Sequence, residues 1–310
     1  MIEPFFTMQI IIPMSGTGQR FLDAGYTDIK PLIKVDGKPI IEHLLNLFPD
    51  EEHVVFVCRQ EHLEETALCD TLMTLKPKAK IVSVKGSKLG PVYAVLQAVD
   101  VIDDKEPAIV SYCDFFMDWE YGEFKKEVEE NKCDAALPTY TGFHPHLLPE
   151  KNLYAGIRID DRGYMTEIQE KHSFTSDKTK SHHSPGVHYF RKGSDIKKFF
   201  QKQIDDNVNL NGEYYVSMIY SVLKDAGLDI FVYDNIPHFC QWGTPEDLEI
   251  YEAWSRLFAD LSGKEKGQTS VPKDREPFIQ TGLEPGTLEY EASYEYWKTF
   301  FSKNSFHPFS

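Results

Sequence analysis

One stretch near the N-terminus restricts the fold more than any other: Met8 to Ile41, MQIIIPMSGTGQRFLDAGYTDIKPLIKVDGKPII. Its apolar run, Ile10-Ile11-Ile12, has the β-branching of a buried strand and ends at Pro13. The small residues Ser15, Gly16, Thr17 and Gly18 come next, then Gln19 and Arg20. A buried strand that turns through residues of little bulk lets backbone N–H groups approach an anion closely. Arg20 and Lys30 bring two cations toward that turn, and Gly37-Lys38-Pro39 leads into an amphipathic segment. The combination predicts a polyphosphate site at the end of the first strand of an α/β sheet. Neither familiar phosphate motif describes it. The Walker pattern's Gly-Lys-Ser/Thr is absent, and Phe21 stands where the dinucleotide fingerprint needs a third glycine.

Charge sharpens this reading. The chain carries 49 acidic and 33 basic residues, a net charge of −16. Such a chain is a poor general binder of nucleic acid or of an anionic membrane. The cluster Arg20, Lys30, Lys34 and Lys38 therefore stands out as local attraction for an anion, although Lys34 and Lys38 alone would suit a solvated patch. The five cysteines are odd in number, widely spaced and without Cys-x-x-Cys, so neither a disulfide framework nor a zinc site is expected. Met1 to Thr7 contain no basic residue, unlike a secretory signal, and no apolar run approaches the roughly 20 residues that span a bilayer. A soluble cytoplasmic protein is expected.

Further along, Val54–Cys58, Lys80–Val84, Ala108–Tyr112 and Ala135–Pro138 read as short buried strands. Between them, Ile40–Phe48, His62–Leu75, a segment from Pro91, and Trp119–Asn131 read as helices. This alternation predicts a doubly wound, mostly parallel sheet, whose ligands bind beyond the carboxyl ends of the strands. Gly90 and Asp114 fall at that edge. Taken alone they are a glycine turn and a capping acid; beside a triphosphate loop, Asp114 suits magnesium, which takes one or two carboxylates plus phosphate oxygens. From Leu153 the pattern changes to a smaller mixed β insertion, with strands at Tyr154–Ile159, Tyr164–Glu170 and Gly186–Phe190. Helices Ser194–Lys202 and Glu213–Ala226 follow, then a strand Asp229–Tyr233, and Thr244 and Pro245 open another helix. The polar segment His172–Ser184 reads as a mobile loop. His182-His183 and His144-x-His146 lack companion ligands at metal spacing and read as solvated loop residues.

In this order the segments resemble the sugar-phosphate nucleotidylyltransferases, from roughly Gln9 to Ala259. The likeness rests on Gly16, Gly18, Arg20, Lys30, Pro31, Leu32, Gly37, Lys38 and Pro39, then Leu89-Gly90-Pro91 and Asp114. It continues through Ala155-Gly156, Glu170-Lys171, Pro185 to Phe190, Glu213, and Trp242 to Leu248. The resemblance implies a nucleotide-diphospho-sugar transferase-like, Rossmann-like fold. It also implies coupling of a nucleoside triphosphate to a phosphorylated small molecule, a sugar 1-phosphate first among candidates, with release of pyrophosphate. Arg20 and Lys30 would be catalytic. Ser15, Gly16, Thr17, Gly18, Gln19 and Gly90 would bind nucleotide, and Gly156, Glu170, Lys171, Gly186 and Glu213 the acceptor. Asp114 would hold Mg2+. Two departures stand out: the loop begins Pro13-Met14-Ser15, and Gln241 occupies the place of the family's second metal-binding acid, with Asp118 a weaker substitute. A non-catalytic nucleotide-sensing subunit is one alternative. A glycosyltransferase of similar architecture is another, but it would want Asp-x-Asp.

The expected organisation is a domain over 1–262, with a nucleotide-binding half at 8–138 and an acceptor-binding half at 139–262. Residues 263–310 follow as linker and aromatic extension. Ser262 to Pro277 is polar and linker-like. Tyr290, Tyr294, Trp297 and Phe301 share one face of a helix, which would dock on the main domain or on a partner subunit in a homo-oligomer.

Overall fold

A computed structural model describes residues 6–265, 267–272, 283 and 285–303. Seven strands form the central sheet: β1 Gln9–Met14, β2 Val54–Arg59, β3 Lys80–Val84, β4 Ala108–Ser111, β5 Ala135–Pro138, β6 Val187–Phe190 and β7 Ile230–Tyr233. Their spatial order is β7-β5-β6-β4-β1-β2-β3. Only β6 runs antiparallel to its neighbours. The alternation of β1 divides the interior: Ile10, Ile12 and Met14 enter one core and Ile11 the other. Helices Ile40–Leu45, Tyr121–Asn131 and Pro245–Leu261 cover the first face; Pro91–Leu96, Gly193–Asp205 and Ile219–Asp225 cover the second. This is the doubly wound α/β sheet expected from the alternating strands and helices.

Pro13 explains where the sheet opens. The Gln9 N–H donates to Pro107 beside β4, and the Ile10 N–H donates to His53 beside β2. Alternation along the strand puts the missing N–H of Pro13 on the β4 side. Pairing of β1 with β4 accordingly stops at Ile11 and Val110, while pairing with β2 continues to Met14 and Cys58. The two strands part, and a cleft forms at their carboxyl ends.

Several boundaries differ from expectation. The helix expected over His62–Leu75 is two, Gln60–Glu65 and Leu68–Leu75. The Thr66 hydroxyl donates to the His62 carbonyl and accepts from the Leu68 N–H, which ends one helix and starts the next. The helix expected from Glu213 begins only with a tight turn at Val216–Met218. Asn211 and Gly212 both have positive φ, and reciprocal Leu210–Glu213 bonds close a turn there. An unforeseen antiparallel ribbon pairs Phe115–Asp118 with His238–Gln241, setting Gln241 opposite Phe115 and His238 opposite Asp118.

The C-terminal helix, Leu288–Ser302, lies on its own chain. Tyr290 and Tyr294 pack on Trp254, Trp297 and Phe301 on Tyr251, and Phe300 on Phe116. The aromatic face therefore docks on the main domain of the same chain. Part of the expected linker is also docked: Gln268 accepts from the Gly37 N–H, and Ser270 exchanges bonds with Lys34. Residues 266 and 273–277 of it lie outside the described residues. Among the described residues, no helix is long and apolar enough to cross a membrane.

Candidate active site

The cleft encloses about 320 Å³ between the β1 loop and the end of β4. Ser15, Gly16, Gly18, Lys30, Gly90 and Asp114 line it, joined by Tyr112, Glu213 and Tyr215. Thr17, Gln19 and Arg20 are exposed beside it. Gly18 adopts φ +68° and brings the loop against Lys30, whose Cβ lies 3.6 Å from where a side chain at Gly18 would start. Gly90, at φ +90°, would place a Cβ 2.9 Å from the Tyr214 backbone. Any side chain there would push the loop before Val216 away from the cleft wall.

Lys30 Nζ lies 3.0 Å from Asp114 Oδ2. Burial works against the ammonium, but the Asp114 carboxylate more than offsets it and holds Lys30 above the ordinary lysine range. Arg20 is near enough for its charge to act on Lys30, on Tyr215 and on Asp247, in each case behind the larger influence of burial. The two cations and the strand-end aspartate thus share one neighbourhood. Gln241 joins them. A Cβ on Gly243 would lie 2.8 Å from Gln241 Nε2 and 2.9 Å from Asp114 Oδ2, so the amide and the carboxylate converge over that glycine. Asp118 does not belong to this group: it is paired with Lys303 of the C-terminal helix and lies 3.8 Å from His238 Nδ1.

A smaller pocket of about 110 Å³ adjoins the cleft and shares Tyr112 and Asp114 with it. Glu170, Gly186, His188, Ser217, Tyr154, Phe239 and Gln241 are among its other walls. Burial raises the Glu170 carboxyl, partly countered by a hydrogen bond from the Ser217 hydroxyl. Gly186, at φ +98°, leaves room for Tyr112, whose Cδ2 would come within 2.8 Å of a Cβ there. Gly156 is set apart by packing: a Cβ would meet the His172 carbonyl at 2.4 Å, and its neighbour Ala155 lines the pocket instead. Lys171 donates to the Tyr215 hydroxyl at 2.7 Å, which in turn donates to Glu213 at 2.6 Å. Tyr215 and Glu213 of this trio line the larger cleft, and Lys171 lines neither pocket.

Some residues here were not legible beforehand. Tyr112 and Tyr215 sit inside phrases read for Asp114 and Glu213. Arg59, the last residue of β2, donates to the Ser15 carbonyl at 3.1 Å, and its guanidinium fills the space a side chain at Gly86 would need. Asp247 accepts from the Thr244 hydroxyl at 2.8 Å and titrates near 6, raised first by burial and then by Glu246 and Asp114. Three of the four histidines expected in solvent are instead packed indoors, and His182 is half-buried beside Asp234. His144 and His183 are buried, and His146 Nε2 lies 2.9 Å from the Tyr140 hydroxyl. Their rings surround Tyr140, and burial lowers all three. Among the described residues no group of three or more His, Cys, Asp or Glu could hold a metal ion.

Residues 10–173 match the family described as the MobA-like NTP transferase domain. The bifunctional protein GlmU of Burkholderia multivorans is 24% identical over 231 residues, which are 72% of this chain and 46% of that protein. GlmU of Burkholderia ambifaria is 24% identical over 227 residues, with the same coverage. The chain thus spans about half the length of these curated relatives. The nucleoside-diphosphate-sugar pyrophosphorylase of Vibrio cholerae RC9 superposes with a TM-score of 0.64 at 18% identity, over 77% of this chain and 97% of that one. The inositol-1-phosphate CTP transferase of T. maritima gives 0.61 at 14% identity, over 78% and 91%. At such identities these two structures speak for the shared fold.

Proposed function

The chain belongs to the MobA-like NTP transferase domain family, and from that premise we propose that it couples a nucleoside triphosphate to a phosphorylated small molecule, a sugar 1-phosphate first among candidates, releasing pyrophosphate. The observation that carries this reading is the 3.0 Å approach of Lys30 to Asp114 at the mouth of a cleft walled by a glycine loop. The large cleft takes the triphosphate and the adjoining pocket takes the acceptor. Residues 8–138 supply the nucleotide-binding half and 139–262 the acceptor-binding half.

Little covalent chemistry is required of the protein. An oxygen of the acceptor's phosphate attacks the α-phosphorus, the bond from that phosphorus to the bridging oxygen breaks, and pyrophosphate departs. A phosphate monoester is already nucleophilic, so positioning and charge neutralisation carry the rate. Lys30 sits over the α-phosphoryl oxygens as charge builds. Arg20 holds the departing pyrophosphate. Backbone amides from Ser15 to Gln19 wrap the phosphates, and Gly90 lets the base lie against the chain. Gly186 and Gly156 shape the acceptor side, Glu170 accepts from the acceptor, and Lys171, with Glu213 behind Tyr215, reaches its phosphate.

The donor set fits a magnesium ion: one carboxylate from Asp114, the side-chain amide of Gln241 beside it, and phosphate oxygens to complete the shell. Bound there, the ion would offset negative charge on the triphosphate. The uncharged Gln241 favours one rival reading, a subunit that binds nucleotide without turning it over. Pyrophosphate release, scanned across the four ribonucleoside triphosphates and a panel of phosphorylated acceptors with Mg2+, separates the two. Release with at least one pair is expected. Nucleotide binding without release from any pair would favour the sensing subunit.

A further inference from the structure

His188 is a buried polar residue that the chemistry above leaves unused. It lies in β6, 1% exposed, between the rings of Tyr112 and Tyr220, and it lines the smaller pocket together with Glu170 and Ser217. No described residue hydrogen-bonds to either of its ring nitrogens. The other histidines nearby differ in this respect: His146 reaches the Tyr140 hydroxyl, and His183 reaches the Lys178 carbonyl. A buried donor and a buried acceptor without partners are unfavourable, because the folded chain has removed their water and replaced it with nothing. Phenylalanine would fill the space between two tyrosines without that penalty. An imidazole in this place therefore points to a partner that arrives with the ligand.

We propose that His188 recognises the acceptor by pairing with one of its hydroxyl groups, so that the pocket selects a hydroxylated phosphate ester, such as a sugar or cyclitol phosphate, over a phosphorylated amine. The inference rests on the reading of the smaller pocket as the acceptor site. Burial holds the His188 imidazole down at about 3, so at neutral pH the ring is uncharged, with one nitrogen donating and the other accepting. A hydroxyl also both donates and accepts. A primary ammonium only donates and a quaternary one does neither, so either would leave the ring N–H without a partner. Glu170, fixed by the Ser217 hydroxyl, is positioned to accept from a second hydroxyl of the same ligand. A site built on hydrogen bonds to a hydroxyl rejects the analogue that lacks it far more strongly than an apolar pocket does.

The test uses the full chain and the variants His188→Phe and His188→Asn. Calorimetric binding is measured for glucose 1-phosphate, N-acetylglucosamine 1-phosphate, inositol 1-phosphate, phosphocholine and phosphoethanolamine. Each titration includes Mg2+ and is run with and without α,β-methylene nucleoside triphosphates. The wild type is expected to bind at least one hydroxylated ester more tightly than either amine. His188→Phe should weaken that ester at least tenfold while melting no lower than wild type, and His188→Asn, which keeps a donor and an acceptor, should retain most of the affinity. Binding to a folded His188→Phe within twofold of wild type would overturn the proposal. So would an amine as the tightest ligand, or no hydroxylated ester bound at all. If His188→Phe does not fold, deoxy analogues of the bound ester replace it: a tenfold loss against wild type for at least one supports the role, and equal binding of all of them overturns it. Pyrophosphate release by the wild type is scored separately. Its absence alongside selective ester binding would remove the turnover reading and leave the recognition intact.

Discussion

The two adjoining pockets are built by opposite means. The larger draws its loop, its two cations and its opening proline from one continuous stretch, residues 13 to 31, and Gly90, Tyr112, Asp114 and Glu213 are among the residues that add the remaining wall. The smaller is assembled from separate segments at Tyr154, Glu170, Gly186 to His188, Ser217 and Phe239 to Gln241. Its parts hold one another through contacts such as Ser217 to Glu170 and Tyr112 against Gly186. It is also braced from outside: the Tyr296 hydroxyl of the C-terminal helix accepts from the Phe239 N–H at 3.0 Å and donates to the Phe239 carbonyl at 3.1 Å. An anion can be met by backbone and charge that are local in sequence. A pocket that must read the shape of a neutral group needs walls fixed by tertiary packing. Removing charge should therefore damage the first site, and removing packing should damage the second.

The sharpest form of that contrast is Lys30→Met, which keeps the side-chain length and deletes the charge. Turnover should fall on the order of 10³-fold, as for other cations that neutralise a transferring phosphoryl group. Arg20→Ala should lose a comparable amount. Steady-state release of pyrophosphate, with circular dichroism to verify folding, measures both. A folded variant within tenfold of wild type would remove these side chains from the reaction.

On the packing side, Trp297→Ala should reduce stability by about 3 kcal/mol, the range for deleting a buried indole. Trp297 is buried against Tyr251 and lines a small cavity with Gln241, Phe239 and Asp247. The difference in kind matters more than the size: KM for the acceptor should rise while KM for the nucleotide holds. Equal rises in both would mean that the helix supports the molecule as a whole and not one pocket.

The same contrast explains what could be read from the chain beforehand. Runs such as Ile10 to Ile12 and Val54 to Cys58 declare buried strands by composition, and the grouping of Arg20, Lys30 and Asp114 around a strand-end loop follows from the α/β pattern. The Phe115–Asp118 ribbon escaped because its partner, His238–Gln241, lies far along the chain and neither piece is long enough to show a period. Without that ribbon, no local pattern brings Gln241 beside Asp114, which only the family resemblance suggested, and none takes Asp118 away to Lys303. His144, His146 and His183 looked solvated because polar neighbours surround them in sequence. In space they surround Tyr140, a contact that no local pattern encodes. His188 falls inside the expected strand Gly186–Phe190 with nothing to single it out, since an orphaned side chain is visible only once its surroundings are known.

Gln241→Asp probes the border where the two pockets meet. It restores a second negative charge next to Asp114, and magnesium affinity rises with the number of charged ligands. The Mg2+ concentration for half-maximal activity should fall roughly tenfold, about the scale seen when a metal's immediate surroundings are altered. Titration of activity against Mg2+ reads this directly. An unchanged midpoint would mean that residue 241 stands outside the metal's shell.

The smallest effect concerns Asp247, on the packed side of that border. Its carboxyl titrates near 6 in the folded protein instead of 3.8, first because it is buried and then because Glu246 and Asp114 repel its charge. A raised folded value means that the native state binds the proton more tightly than the unfolded chain does. The associated stability is complete below pH 3.8 and is lost as pH rises through about 6. Asp247→Asn removes the titration while keeping an acceptor for the Thr244 hydroxyl. Between pH 4 and 6.5 the wild type should therefore lose on the order of 1 kcal/mol relative to the variant. Urea unfolding of both proteins at a series of pH values measures the gap. Parallel curves would mean that Asp247 is ionised in the folded protein like an ordinary surface acid. The packed side of the molecule would then be wetter around this residue than its hydrogen bonds suggest, and the contrast between a cleft built on local charge and a pocket built on tertiary packing would narrow at that point.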